Sequence, residues 1–397
     1  MKIRFLYFVI IFISSIYVFY GQGLKDDKGK ICQTNYFEEI DFEIVYDKII
    51  VPIKIGNETY RFMLDTGAPN LISEQIANKV DLKKIETISV KDANNNVESL
   101  KVGILNTLQL GNLTSENNTV LIQDINGHPL LKCYKIDGLL GSNFFKNSIL
   151  KISVKQQKIW VTDKIKNLEL KVSSSKLKLI GDQMSPFIKI DFLNDENYKG
   201  TEELMVDTGM GSFYEISNRA FNILKNDNFF KILATANGTG SVGLFGAGKS
   251  ETQYLLQTNY FKINETQFSN VITNTSEDGN SRIGFEVLKY GDMTLDFKNK
   301  KFYFEADSKI TLKEPAPIYV PTMLNNKFVV GFVWDEAYRN QMQFGDEIIS
   351  MGPNKIDESD FCDILKLKEF RQKNPIYELE IKSKDNQIKK IKITPKQ

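Results

Sequence analysis

The 397-residue chain contains one histidine, three cysteines and two tryptophans. A single histidine, His128, cannot supply a multi-histidine zinc site, and no HExxH motif occurs. Cys32, Cys133 and Cys362 are too few and too scattered for a disulfide framework or a CxxC metal site. No GxSxG elbow accompanies His128, which sits in a Gly127-His128-Pro129 turn, so a serine triad lacks its parts. An excess of charge is also missing. Fifty-one Lys and Arg against fifty Asp and Glu give a net charge of +1, without the basic footprint of a nucleic-acid binder. With 42% hydrophobic and 25% charged residues the chain is not globally disordered, and its length suits two or three globular domains.

Long apolar runs are absent except at the start. Lys2 and Arg4 precede an almost wholly apolar stretch from Phe5 to Tyr20. Residues 1–23 read as a secretory signal processed near Gly21 or Gln22; the alternative is an uncleaved anchor, the one route to a membrane. Either way the body is expected to be exported, to a periplasmic or extracellular location. Export permits a disulfide, and Cys32 with Cys133 could staple the first globular unit, unless these are simply small buried or weakly exposed thiols. Six Asn-x-Ser/Thr sequons are compositional in a chain so rich in Asn and are assigned no role.

The chain repeats itself. Gly141 to Val161 aligns without gaps on Gly284 to Phe304: Phe144 falls on Val287, Ile152 on Leu295, Val154 on Phe297, Ile159 on Phe302 and Trp160 on Tyr303. Each copy reads as a strand, a turn and a second strand. Upstream, Pro52 to Ile55 and Phe62-Met63-Leu64-Asp65-Thr66-Gly67 are answered by Pro186 to Ile190 and Leu204-Met205-Val206-Asp207-Thr208-Gly209. The offset is 207 − 65 = 142 at the aspartates and 284 − 141 = 143 at the later glycine. Two distant anchors with nearly one offset mean a duplicated domain, with a period far too long for a solenoid. Two related lobes about a pseudo-twofold axis follow. Between the anchors the periodicity is mostly two, over Ile85 to Val90, Leu100 to Leu110, Val120 to Ile125, Tyr254 to Phe261 and Phe268 to Ile272. Ser73 and Ser217 are placed to N-cap short helices after each repeat's Asp-Thr-Gly. The class is mainly β.

Asp-Thr-Gly is a weak motif once, because Asp and Gly favour strand-ending turns. Twice, at equivalent places and each time after an apolar run, it carries more weight, since burying a carboxylate is costly. Glycine at 67 and 209 permits tight turns and close backbone approach, and the Thr66 and Thr208 hydroxyls can tie two loops together.

These features resemble the retropepsin-type and pepsin-type aspartic proteases, whose signature is apolar-apolar-Asp-Thr-Gly followed downstream by apolar-apolar-Gly. Gly138-Leu139-Leu140-Gly141 and Ser281-Arg282-Ile283-Gly284 stand at the second element, the latter with Arg282 where an apolar residue is usual. The resemblance covers about residues 36–306, and is greatest to exported bacterial retropepsin-like proteins with both halves in one chain. It implies lobes over 36–165 and 175–306, joined by a Lys/Ser-rich connection near Lys164 to Lys178, with an acid-protease β-barrel fold. It also implies that Asp65 and Asp207 are catalytic, that Thr66, Gly67, Thr208 and Gly209 support their loops, and that Gly141 and Gly284 pack the lobes. The substrate would be polypeptide, with no metal or cofactor. A silent relative of the same fold that binds peptides or cell-surface polymers is the rival expectation. Met210, where the family has Ala, Ser or Thr, is the feature that favours it.

Substrate-covering flaps are expected at Asp92 to Asn96 and at the Gly-rich Asn237 to Lys249. Gly243 to Ser250 also spells the phosphate-loop pattern GxxxxGK[ST], but no apolar strand leads in and ETQYLLQTNYF after it reads as strand. Neither flap candidate contains the Tyr of pepsin-like flaps.

Pro315, Pro317 and Pro321 mark a linker to a third domain over 318–397. There Phe344-Gly345-Asp346-Glu347-Ile348 resembles the Gly-Asp-Glu-Ile turn of PDZ domains, with a helix expected over Asp360 to Arg371 and strands over Ile376 to Ile381 and Gln387 to Ile393. PDZ domains bind extended chain ends by strand addition, so a peptide or chain-end ligand is one expectation and a purely structural module the other.

Overall fold

The computed structural model describes residues 28–194, 198–356 and 361–395. The expected signal or anchor at 1–23 lies outside them. The described chain is mainly β, in several sheets with a few short helices. No helix among the described residues is long and apolar enough to cross a membrane.

The repeat sets the architecture. In the first half, the strands Ile49–Ile55 and Glu58–Asp65 form a hairpin, and Gly138–Gly141 runs parallel to the second of them. In the second half, Ser185–Leu193 and Lys199–Val206 form the matching hairpin, and Arg282–Ile283 runs parallel to its second strand. The expected caps are present. Ser73 accepts from the Ile76 amide ahead of Glu74–Ala77, and Ser217 from the Ala220 amide ahead of Asn218–Leu224.

The C-terminal hairpins of the two repeats join in one six-stranded sheet. Ile149–Ser153 pairs antiparallel with Gly291–Asp296, and Lys151 lies opposite Thr294, its own equivalent at the 143-residue offset. Leu150 faces Leu295 while Ile152 faces Met293, so each strand meets its copy in reverse. That register places the pseudo-twofold axis at the Lys151–Thr294 pair. Phe144, Phe145 and Phe297 pack beneath this sheet, in a core continuous across both halves.

The chain after residue 315 builds a separate sheet in the order Tyr319–Leu324, Lys327–Val333, Glu347–Met351, Tyr377–Lys382, Ile388–Ile393, around its own apolar core. The expected helix is a 3-10 segment, Phe361–Lys366, running into the α-helix Leu367–Lys373.

One expectation is corrected. Cys133 pairs with Cys362, 229 residues away, and not with Cys32. Cys32 is free and exposed, its backbone amide bonded to Thr114 O at the edge of the first sheet. Cys133 sits on the 3-10 helix Leu131–Tyr134, facing the Phe361–Lys366 segment. The bridge therefore fastens the C-terminal sheet to the first repeat.

Candidate active site

Both Asp-Thr-Gly loops lie between the halves, each at the end of a strand whose neighbours leave it no freedom. Phe62 and Leu64 in one strand, and Leu204 and Val206 in the other, are buried. Gly138–Gly141 lines up with Phe62 to Asp65 residue by residue, so Gly141 stands beside Asp65. A Cβ on Gly141 would lie 2.5 Å from the Asn70 amide nitrogen, and one on Gly284 would lie 2.5 Å from Met210 O. Each downstream glycine is thus required because the chain following the aspartate crosses directly over it. Ser142 N donates to Ala68 O at 3.2 Å and Phe285 N to Met210 O at 2.7 Å, the same tie in each half.

Two threonines lock the loops together. Thr66 Oγ1 donates to Val206 O at 2.6 Å and accepts from Thr208 N at 3.1 Å. Thr208 Oγ1 donates to Leu64 O at 2.8 Å and accepts from Thr66 N at 3.0 Å. Four buried backbone groups are satisfied only by the other loop's threonine, which fixes the distance between the loops.

Within this frame the carboxyls meet. A Cβ on Gly67 would lie 2.7 Å from Asp207 Cγ, and one on Gly209 would lie 2.5 Å from Asp65 Cγ, so each glycine makes room for the opposite carboxyl. The Asp207 carboxyl is close enough to act on the Asp65 proton. Gly67 N donates to Asp65 Oδ1 at 3.0 Å, and Met210 N to Asp207 Oδ1 at 3.1 Å. Burial and then the charge of Asp207 push the Asp65 carboxyl up to about 7, against the opposing pull of Lys48 and the Gly67 N–H.

Two cations stand at the pair. Lys48, at the turn before Ile49–Ile55, donates to Gly209 O; burial pulls its ammonium down while Asp207, Asp65 and Asp47 pull it up. Arg282 Nη1 lies 3.2 Å from Asp207 Oδ2, its Nη2 2.8 Å from Glu215 Oε2, and its Nε 3.4 Å from Asp278 Oδ2. Burial works against this guanidinium's charge, and Glu215, Asp207 and Asp278 outweigh it. Neither contact was legible in sequence. Arg282 showed only as a departure from an apolar position, and nothing in the pattern distinguishes Lys48 from the many other lysines. Met210 is buried, and its amide serves Asp207.

The two flap candidates meet each other. The Asp92-to-Asn96 turn joins Leu82–Lys91 to Val97–Leu110, and Asp92 Oδ1 accepts from the Asn94 and Asn96 amides. Its other oxygen accepts from Phe245 N at 3.0 Å, while Asn94 and Asn96 donate to Gly246 O and Ala247 O at 3.0 and 3.1 Å. The phosphate-loop lettering is the small hairpin Val242–Gly243 and Gly246–Ala247, which runs on into the strand Glu251–Thr258. Leu244 and Phe245 at its tip pack on an apolar patch that includes Ile50, Met63, Leu71, Leu121 and Leu139. His128 Nδ1 accepts from the Leu130 and Leu131 amides, so Nε2 carries the proton and donates to Gly243 O at 3.1 Å. The lone histidine is a strut beneath this hairpin. Among the described residues no cluster of His, Cys, Asp and Glu is arranged to hold a metal ion.

Residues 51–144, which include the first Asp-Thr-Gly and its downstream glycine, match the family model described as aspartyl protease. That match and the paired loops support an aspartic-protease-like fold. No curated protein sequence matches the chain. Among solved structures, the chain is similar to the aspartic proteinase from Irpex lacteus, at 13% identity and a TM-score of 0.42, over 69% of this chain and 98% of that one. It is similar also to conglutin gamma, a basic 7S globulin from lupine seeds, at 10% identity and a TM-score of 0.43, over 69% of this chain and 96% of that one.

Proposed function

We propose that the chain is an aspartic endopeptidase that hydrolyses peptide bonds with water activated between Asp65 and Asp207, outside the cytoplasm. The observation that carries this is a pair of carboxyls, each set against the opposite loop's glycine in a threonine-locked frame, where burial and the charge of Asp207 push Asp65 up to about 7. Two carboxylates about 4 Å apart at an effective dielectric near 20 would repel by roughly 4 kcal/mol, so the pair holds one proton between them near neutrality. The ionised member takes a proton from water as the water oxygen adds to the peptide carbonyl carbon. The protonated member gives its proton to the carbonyl oxygen, and the dyad is again singly protonated beside a neutral gem-diol. Return of a proton from the dyad to the amide nitrogen lets the C–N bond break, while a gem-diol hydroxyl proton restores the starting state. A substrate strand must part the contacts between Asp92 to Asn96 and the 241–247 hairpin to reach this point.

The C-terminal sheet, read as PDZ-like, would add a peptide or chain end along a sheet edge. Exposing an unbiased peptide library to the full chain between about pH 3 and 8 tests the main reading. Cleavage lost in both Asp65→Asn and Asp207→Asn supports it. Folded protein that retains peptides without cutting them at any pH would instead establish the silent binding protein.

A further inference from the structure

The second repeat carries an arginine where the first carries a leucine, and the register makes the equivalence plain. Leu139 lies opposite Met63 and Arg282 opposite Met205, two residues before each aspartate. Leu139 is buried among apolar neighbours, so Asp65 has no guanidinium of its own. Asp207 has one, at 3.2 Å, with one-tenth of its surface exposed. The guanidinium is anchored from behind by Glu215, on Tyr214–Ser217, and by Asp278, which precedes Arg282 in the same loop. Resting on the protease reading, we propose that Arg282 is a positioning residue that breaks the symmetry of the dyad: it holds Asp207 as the carboxylate that takes the proton from water and leaves the shared proton on Asp65.

The surrounding charges support this division. Lys48, from the first repeat's turn, faces both carboxyls through space and directs its hydrogen bond to Gly209 O, so it does not single out either one. Behind it Asp47 is itself engaged by Lys289 and Lys368. Of the three carboxylates around the guanidinium, Glu215 at 2.8 Å and Asp207 at 3.2 Å lie closer than Asp278 at 3.4 Å, and burial pushes the Asp278 carboxyl up against the opposing pull of Arg282. Among the described residues Asp207 thus has a cation within ion-pairing distance and Asp65 has none.

The test is a carboxyl titration that needs no substrate. In full chain labelled with 13C at the Asp carboxyls, Asp65 and Asp207 are identified by the signals lost in Asp65→Asn and Asp207→Asn. The expected result is that Asp207 ionises first and Asp65 last. Arg282→Leu, which restores the first repeat's residue, should raise the Asp207 midpoint by about one unit or more, and Arg282→Lys should recover part of that shift. Since Arg282→Leu strands Glu215, the double variant Arg282→Leu/Glu215→Gln provides the same reading in a charge-balanced pocket. In the cleavage assay the acid limb of the pH profile should move up by the same amount. Asp65 ionising first, or an Asp207 midpoint unmoved in both the single and the double variant, would overturn the assignment. Wild type that shows the expected titration but cleaves nothing would sink the protease reading and leave the role of Arg282 standing.

Discussion

A carboxyl that keeps its proton to about pH 7 is a burden on the folded state as well as a tool. Asp65 in the unfolded chain ionises near its ordinary value of about 4, so across the window from there to about 7 the native protein binds the extra proton. Stability from this group is fully present below the lower limit and is lost as pH rises through the upper one. Asp65→Asn removes the burden. Its stability should exceed that of wild type at about pH 8 by on the order of 4 kcal/mol, seen as a higher melting temperature, with the margin closing toward about pH 4. A margin constant across pH would contradict the raised carboxyl. Thr208→Val acts differently, leaving Leu64 O and Thr66 N without their buried partners. It should destabilise the protein by roughly 2 to 4 kcal/mol in chemical denaturation at any pH.

At the scale of elements, the 242–247 hairpin is tied to the Asp92-to-Asn96 turn by side-chain-to-backbone bonds and not by a continuous ladder. Asp92 is its hub, with one oxygen for its own turn and one for Phe245 N. Asp92→Ala should speed hydrogen exchange at Phe245 and at 94–96 several-fold while leaving the buried strand around Phe62 and Leu64 unchanged. Equal exchange in the two proteins would remove the latch from the account. Much at this scale was legible in sequence. Alternation over Leu100 to Leu110 and the serines at 73 and 217 are local signals, and the strand and the caps appear where these signals stand. The 143-residue offset likewise foretold a hairpin in each repeat, though not that the two hairpins pair with one another. The flap-to-flap bonds were not legible, because Asn side chains and backbone carbonyls carry no sequence signature of their partners. Arg282 was visible only as an oddity, since two of the carboxylates that give it its meaning, Asp207 and Glu215, lie far from it in sequence.

At the scale of the molecule, the C-terminal sheet is packed against both repeats. Gly238 leaves no room for a side chain against the Gly331 carbonyl, and Phe332 stacks on Trp334 at 4.7 Å beside Leu255. Lys368, on the C-terminal helix, reaches Asp47 at 2.7 Å and Glu286 at 3.4 Å, bridging to both repeats. The Cys133–Cys362 bridge adds a covalent tie. Spacing alone could not reveal it, because the partner lies in the last sheet and the nearer cysteine, Cys32, is turned to solvent. Thiol titration of the folded protein should find one reactive cysteine without reductant and three with it. Cys362→Ser should lower stability by about 2 to 4 kcal/mol, since the bridge closes a long loop. Three free thiols in the protein as isolated from an oxidising compartment would contradict the pairing.

If the chain is the endopeptidase proposed, two facing aspartates share one proton and activate one water. The pH dependence of kcat/KM on a single cleaved peptide, for wild type and the two Asp→Asn variants, tests it most directly. The prediction is a bell whose alkaline limb falls near 7, where Asp65 gives up its proton, with both variants at background throughout. A profile that keeps rising beyond that point, or cleavage that survives in Asp207→Asn, would contradict it.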